Sequence, residues 1–321
     1  MYKIKYGYDT PVNRSLALTG IIAHPAGKNY GSVRLLSSGS TSVQISKMGN
    51  IRLEYSTDNV IFADVTWTGE EGVSVSPTFS LQNGESLYLK GNNTCGGGNM
   101  FVFSFSGVGT ISATGDIRAI STNSFCYSMF GDCTNLTTAP ALPATTLANV
   151  CYEGMFNGCT NLTTAPALPA TTLANNCYDG MFGGCTNLTI APALPATTLA
   201  EYCYHGMFSG CTSLTTAPDL PATTLANNCY NAMFGGCTSL TTAPALPATT
   251  LAGYCYSGMF GDCTKISSLA VYFTAFNQTL SCTTGWLEGV SATGTFHCPS
   301  SLDTTTRDAS HVPEGWTILN N

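Results

Sequence analysis

Apolar residues recur through the middle of the chain with a four-residue step. Leu173, Cys177 and Met181 form one line, and Ala174, Tyr178 and Phe182 form the next. On a helical wheel of about 100° per residue these six positions fill roughly half the circumference. Asn175, Asn176, Asp179, Gly180 and Gly183 fill the other half. Thr171 and Thr172 are good N-cap residues and Gly184 a good C-cap residue, so the pattern predicts a helix with one buried face. The preceding stretch, Cys159 to Ala165, is short and Thr-rich and predicts a strand, stopped by Pro166 and Pro169 because proline lacks the donor a ladder needs.

This text repeats. Cys151, Cys177, Cys203, Cys229 and Cys255 recur with a period of 26, and Cys133, Cys159, Cys185, Cys211, Cys237 and Cys263 keep the same spacing. Five full units and part of a sixth occupy residues 126–266, so the period defines a repeat array in which each unit packs on its neighbours. Strands about 4.8 Å apart on one side and helices roughly 8–10 Å apart on the other would force the array to curve. The expected fold is therefore α+β, with an N-terminal β-sandwich followed by a curved leucine-rich-repeat solenoid and a small C-terminal cap. Its short parallel strands would lie on the concave side and its helices on the convex side. The parts expected are 1–118, β-rich, with 1–45 as a docking arm or simply a first strand; 119–266, the repeats; and 267–321, the cap. Alternating runs such as Ile51–Tyr55 and Ser86–Lys90, broken by Asp58-Asn59, Asn83-Gly84 and Gly91-Asn92, carry the β reading of the first part. Phe273, Phe276, Trp286, Phe296 and Trp316 supply the cap's core.

Variation between units is confined to the polar columns. One reads Glu153, Asp179, His205, Asn231, Ser257, and another reads Val150, Asn176, Tyr202, Asn228, Tyr254. Constant apolar columns beside varied polar ones point to a sealed interior and a recognition surface. The candidate ligand-binding residues are Glu153, Asp179, His205, Asn231, Ser257, Tyr202, Tyr254, Asn176 and Asn228. A second regular file, Thr137, Thr163, Thr189, Thr215 and Thr241, either binds ice or sugars or bonds to itself.

Composition narrows the partner. Charged residues make up 9 % of the chain, and from Ala119 to Thr264 there is no Lys or Arg, although six acids lie there. Such a surface cannot neutralise phosphates, which excludes nucleic acid and anionic membrane as partners for the repeats. No apolar run is long enough to span a bilayer. Ser15–Ala23 resembles the apolar part of a secretion signal but follows Asp9 and Pro11 without a clean cleavage site, so no signal peptide is expected.

The chemistry-bearing residues lean away from catalysis. Eleven of the fifteen cysteines fall in the repeat columns, where stacked side chains run parallel in poor disulfide geometry, and they are expected to be buried free thiols. Cys282 and Cys298 lie outside those columns and either bridge or stay free. No closely spaced Cys pair with His support suggests zinc, and no cation stands near a cysteine to make it a nucleophile. Glu153, Asp179 and Glu201 are expected on an open surface with no pocket to raise a carboxyl pKa. Gly96 to Gly98 is a lone glycine loop without the helix and Lys of a phosphate cradle. No cofactor, metal or enzymatic activity is expected.

Phe182, Cys185 and Leu188, followed by Pro192 and Thr198-Leu199-Ala200, resemble the BspA-like leucine-rich repeats, in the variant with MFxGCTxLTTAPALPATTLAxxCY units found in gut Bacteroidales and their bacteriophages. Tyr55–Asn59, Trp67 and Gly84–Asn93 resemble the module that precedes such repeats, and Gly285-Trp286, Gly294-Thr295-Phe296 and Pro313–Thr317 resemble the closing one. The resemblance covers about 45–321. It implies a surface protein that adheres to cells or matrix, with no catalytic residues to carry over. Secreted members begin with a signal peptide, and this chain opens MYKIKYGYDTPVNR. The expectation is therefore a bacteriophage decoration or fibre protein on the virion surface, attaching to a cell, glycan or mucus and docked on virion or sister subunits through 1–118. The alternative is a bacterial cell-surface adhesin.

Overall fold

The structure is a computed structural model that describes residues 31–49, 51–69, 73–91, 100–121 and 126–320. Most of the proposed docking arm, the Ser15–Ala23 segment, Cys95 and the Gly96–Gly98 loop lie outside the described residues.

The described residues of the first part form nine strands: β1 Val33–Ser37, β2 Thr41–Met48, β3 Glu54–Ser56, β4 Ala63–Asp64, β5 Val73–Val75, β6 Phe79–Leu81, β7 Ser86–Lys90, β8 Met100–Gly107 and β9 Ile111–Thr114. Alternation does the sorting here: Val33, Leu35, Val43 and Ile45 are buried, while Arg34 and Gln44, between the members of each pair, are half-buried. One sheet runs β9-β1-β7-β3-β4 and the other is centred on β2, which pairs with β5, β6 and β8, all antiparallel. Tyr55 of the first sheet packs on Phe79 of the second at 5.0 Å between ring centroids.

The first repeat unit extends that sheet. Its strand β10, Leu136–Thr138, pairs in parallel with β9, and the Asn135 amide donates to the carbonyls of Gly107 and Gly109. Phe103 of β8 stacks on Phe130 at 4.7 Å and starts an aromatic column.

The described residues contain no α-helix, which overturns the α+β expectation and the curved, helix-backed leucine-rich-repeat solenoid. Where a helix would bond each amide to the carbonyl four residues back, two bonds alternate. Cys177, Asp179, Met181, Gly183 and Cys185 donate to the carbonyl three residues earlier, closing tight turns. Asn176, Tyr178, Gly180, Phe182 and Gly184 donate instead to Glu201, Cys203, His205, Met207 and Ser209 of the next unit. The chain can turn this way only with a left-handed residue every four positions: Asn176 (φ 56°), Gly180 (57°) and Gly184 (71°), and likewise Tyr202, Gly206 and Gly210. The four-residue step in the sequence is thus a step of turns. A true helix would have drifted about 40° at each step.

The expected strands shrink as well. In most units they are single parallel bridges, such as Thr138 to Thr164 and Thr164 to Ile190, because the prolines stop the ladder. Without helices, the wide interhelical spacing that demanded curvature is gone. Rings of Phe156, Phe182, Phe208, Phe234 and Phe260 stack 5.6–5.7 Å apart, and those of Tyr152, Tyr178, Tyr204, Tyr230 and Tyr256 stack 5.8–5.9 Å apart. Such contacts each add about 0.5–1.5 kcal/mol beyond burial.

Cysteine closes the interior. Cys159, Cys185, Cys211, Cys237 and Cys263 each donate an S–H to a Phe carbonyl 29 residues back, at 3.0–3.1 Å. That carbonyl also accepts the amide of its own unit's Cys, so a small side chain with a weak donor suits the site. All fourteen described cysteines are buried thiols that form no disulfide, Cys282 and Cys298 included. Burial pushes the thiols of Cys133, Cys151, Cys203, Cys255 and Cys263 up to about 12.

After the last unit, β11 Ser268–Ala270, β12 Gly294–Cys298 and β13 Trp316–Asn320 continue in parallel. Trp286 stacks on Tyr256 at 6.3 Å, and its indole N–H donates to the His311 carbonyl.

Two outcomes follow from turns in place of helices. Gly206 has open space where a Cβ would stand but sits at φ 55°. Gly206→Ala should destabilise the protein by about 1 kcal/mol in chemical denaturation, whereas the same change inside a helix would stabilise it by about that much. Iodoacetamide should label none of the fourteen buried cysteines at neutral pH in the native state, and all of them after unfolding, as counted by mass spectrometry.

Candidate binding surface

Both varied columns lie along one strip of the stack. The positions of Val150, Asn176, Tyr202, Asn228 and Tyr254 all have left-handed backbone, with φ between 54° and 66°. Asn tolerates this conformation, whereas other L residues give up roughly 1–2 kcal/mol. Tyr202 and Tyr254 are nevertheless exposed, at 38 % and 49 %. Nothing in the structure explains Val150 there.

Glu153, Asp179, His205, Asn231 and Ser257 form the neighbouring column and are half-buried. The turns bring several of the nine candidates together. His205 Nδ1 lies 2.7 Å from Asp179 Oδ1, and the Asn176 amide donates to Asp179 Oδ2 at 3.2 Å. The Tyr202 ring meets His205 edge-on at 5.7 Å. Asn231 donates to Asn228 at 3.2 Å, while Ser257 turns away to the Thr284 carbonyl. Asn176, Asp179, His205 and Tyr202 therefore form one connected chain across two units.

A cleft of about 370 Å³ opens beside it, where the first units meet the N-terminal sheets. Val102, Tyr127, Ser128, Asp132, Glu153, Asn157 and Asp179 line it together with Gly131, Gly154 and Gly180. This corrects the expectation that no pocket raises a carboxyl. Burial, followed by the nearby Asp179 charge, holds Glu153 above the usual carboxylate range, with His205 opposing. Tyr127, Ser128, Asp132 and Asn157 were not singled out from the sequence. The missing side chains at the three glycines hollow the surface, and those glycines were the available signal. Glu201 stands in a different column, where it accepts from Asn227 at 3.3 Å. Thr137 and Thr241 donate along the stack to the carbonyls of Ile111 and Thr215.

Among the described residues no three His, Cys, Asp or Glu side chains are grouped to hold a metal, and no helix is long and apolar enough to cross a membrane.

The Asp179 hydrogen bond raises the His205 pKa against the opposing effect of burial. Both raised groups, His205 and Glu153, favour the folded state in their protonated forms. Their stabilisation is full below the unfolded-state pKa and fades as pH rises through the folded value. Between about pH 6 and about pH 9, Tm of the native chain should fall more than that of His205→Gln. Equal slopes would show that the pair does not couple to folding.

Comparisons with family models, with curated proteins and with solved structures gave no match for this chain.

Proposed function

We propose that this is a non-catalytic attachment protein, displayed on a virion or cell exterior, whose varied strip binds a glycan or protein on a cell or mucus surface. The observation that carries this is the division between columns. Residues that repeat from unit to unit, such as Cys177, Tyr178, Met181 and Phe182, are sealed inside, while the positions that change between units are half-buried or exposed. A scaffold that repeats its core and varies its face suits recognition. The likeness of the repeat text to BspA-like proteins points the same way. Of the three carboxylates that line the cleft, Asp132, Glu153 and Asp179, the last is engaged by His205 and Asn176.

The test is retention of the full chain on immobilised bacterial envelopes and mucin. Asp179→Lys, His205→Glu and Asn231→Arg should each lower retention about tenfold, equivalent to about 1.4 kcal/mol. Tm should move by no more than a few degrees, because a partly exposed pair contributes little to stability. Unchanged retention in all three variants contradicts the proposal, and so does the release of new reducing ends from a bound glycan.

A further inference from the structure

We infer that the Tyr202–Asn228–Tyr254 column is a stacking platform for an extended, neutral hexose chain running along the repeat axis. The inference rests on the attachment reading above and adds the chemical class of the ligand and the residues that hold it.

Three observations carry it. First, Tyr202 and Tyr254 occupy backbone that favours Asn or Gly, and Asn fills the same position in the units between and before them, at Asn228 and Asn176. A large ring is thus displayed where the local backbone argues against one, and strain of this kind collects at functional surfaces.

Second, the Tyr202 ring is held in place. The His205 ring meets it nearly at a right angle, Asp179 bonds His205, and Asn176 bonds Asp179. A positioned ring loses little freedom on binding.

Third, the spacing and chemistry fit a sugar polymer. The two tyrosines are two units apart, or roughly 10 Å at one strand spacing per unit. The rise of one unit is close to the length of one residue in an extended hexose chain, so alternate sugars meet alternate rings. Apolar sugar faces stack on aromatic faces, and hydroxyls take the amides of Asn228 and Asn231 and the carboxylate of Glu201. With no Lys or Arg from Ala119 to Thr264, sulfated or uronate-rich chains are excluded.

The experiment presents the full chain with bacterial envelopes in three states: untreated, proteinase-digested and periodate-oxidised, the last of which cleaves the vicinal diols of sugars. Retention on the first two and loss on the third is expected, with competition by neutral hexose oligosaccharides long enough to span both rings. Tyr202→Asn and Tyr254→Asn should each weaken retention about tenfold and the double variant about a hundredfold. Their Tm should equal or exceed that of the native chain, because Asn suits the left-handed backbone. Loss of stability together with loss of binding would make the rings structural and overturn the inference. Retention that survives periodate and disappears with proteinase also overturns it, in favour of a protein partner, while leaving the attachment reading intact. No retention on any envelope sinks both.

Discussion

Every second amide of the turn segments is spent on the next unit. Tyr178, Gly180, Phe182 and Gly184 each reach a carbonyl of the following repeat, at 2.7–3.1 Å. The amides between them close turns within the unit. Backbone groups buried in this way must be paired, so one unit alone leaves half of its donors unmet and has no stable existence apart from its neighbours. The same bonds set the rise per unit. Rings in the Tyr and Phe columns then fall 5.6–5.9 Å apart with interplanar angles of 12° or less. β9 gives the stack its first edge through Leu136 opposite Ile111, and β12 and β13 carry it onward at the far end.

Function follows from what this constraint leaves free. The inward positions of each turn are fixed by stacking and by the thiol-to-carbonyl bonds, whereas the outward ones answer only to backbone conformation. At one outward column that conformation is left-handed, and Asn is the easy choice there. Val150, Tyr202 and Tyr254 depart from it. The contacts that run from Asn176 through Asp179 and His205 to Tyr202 hold these side chains to one another across two units.

Much of this was legible in the residues. The period, the identity of the buried columns, the free thiols and the strip of varied positions all follow from text that repeats at a fixed interval. The helix did not. Leu173, Cys177 and Met181 satisfy a helical template within its tolerance, and Thr171 and Gly184 look like caps. Yet glycines recurring at 154, 158, 180, 184, 206 and 210 were already inconsistent with a stable helix interior, where each costs about 1 kcal/mol relative to Ala. A strict step of four with glycine at fixed phase encodes turns. The cleft at Glu153 was hidden for a related reason. On packed helices, equivalent residues of neighbouring units would stand about 8–10 Å apart. Here the units lie close enough for Asp179 to touch His205, and for burial, with the Asp179 charge second, to raise Glu153.

The most direct test of the architecture is the measurement of scalar couplings across hydrogen bonds by NMR on the isotopically labelled chain. The expected result is that the amide nitrogen of Tyr178 couples to the carbonyl carbon of Cys203 in the next unit, and that of Phe182 to Met207. Coupling of Tyr178 to the carbonyl of Ala174, four residues back, would mean a helix and would contradict the turn-by-turn stacking.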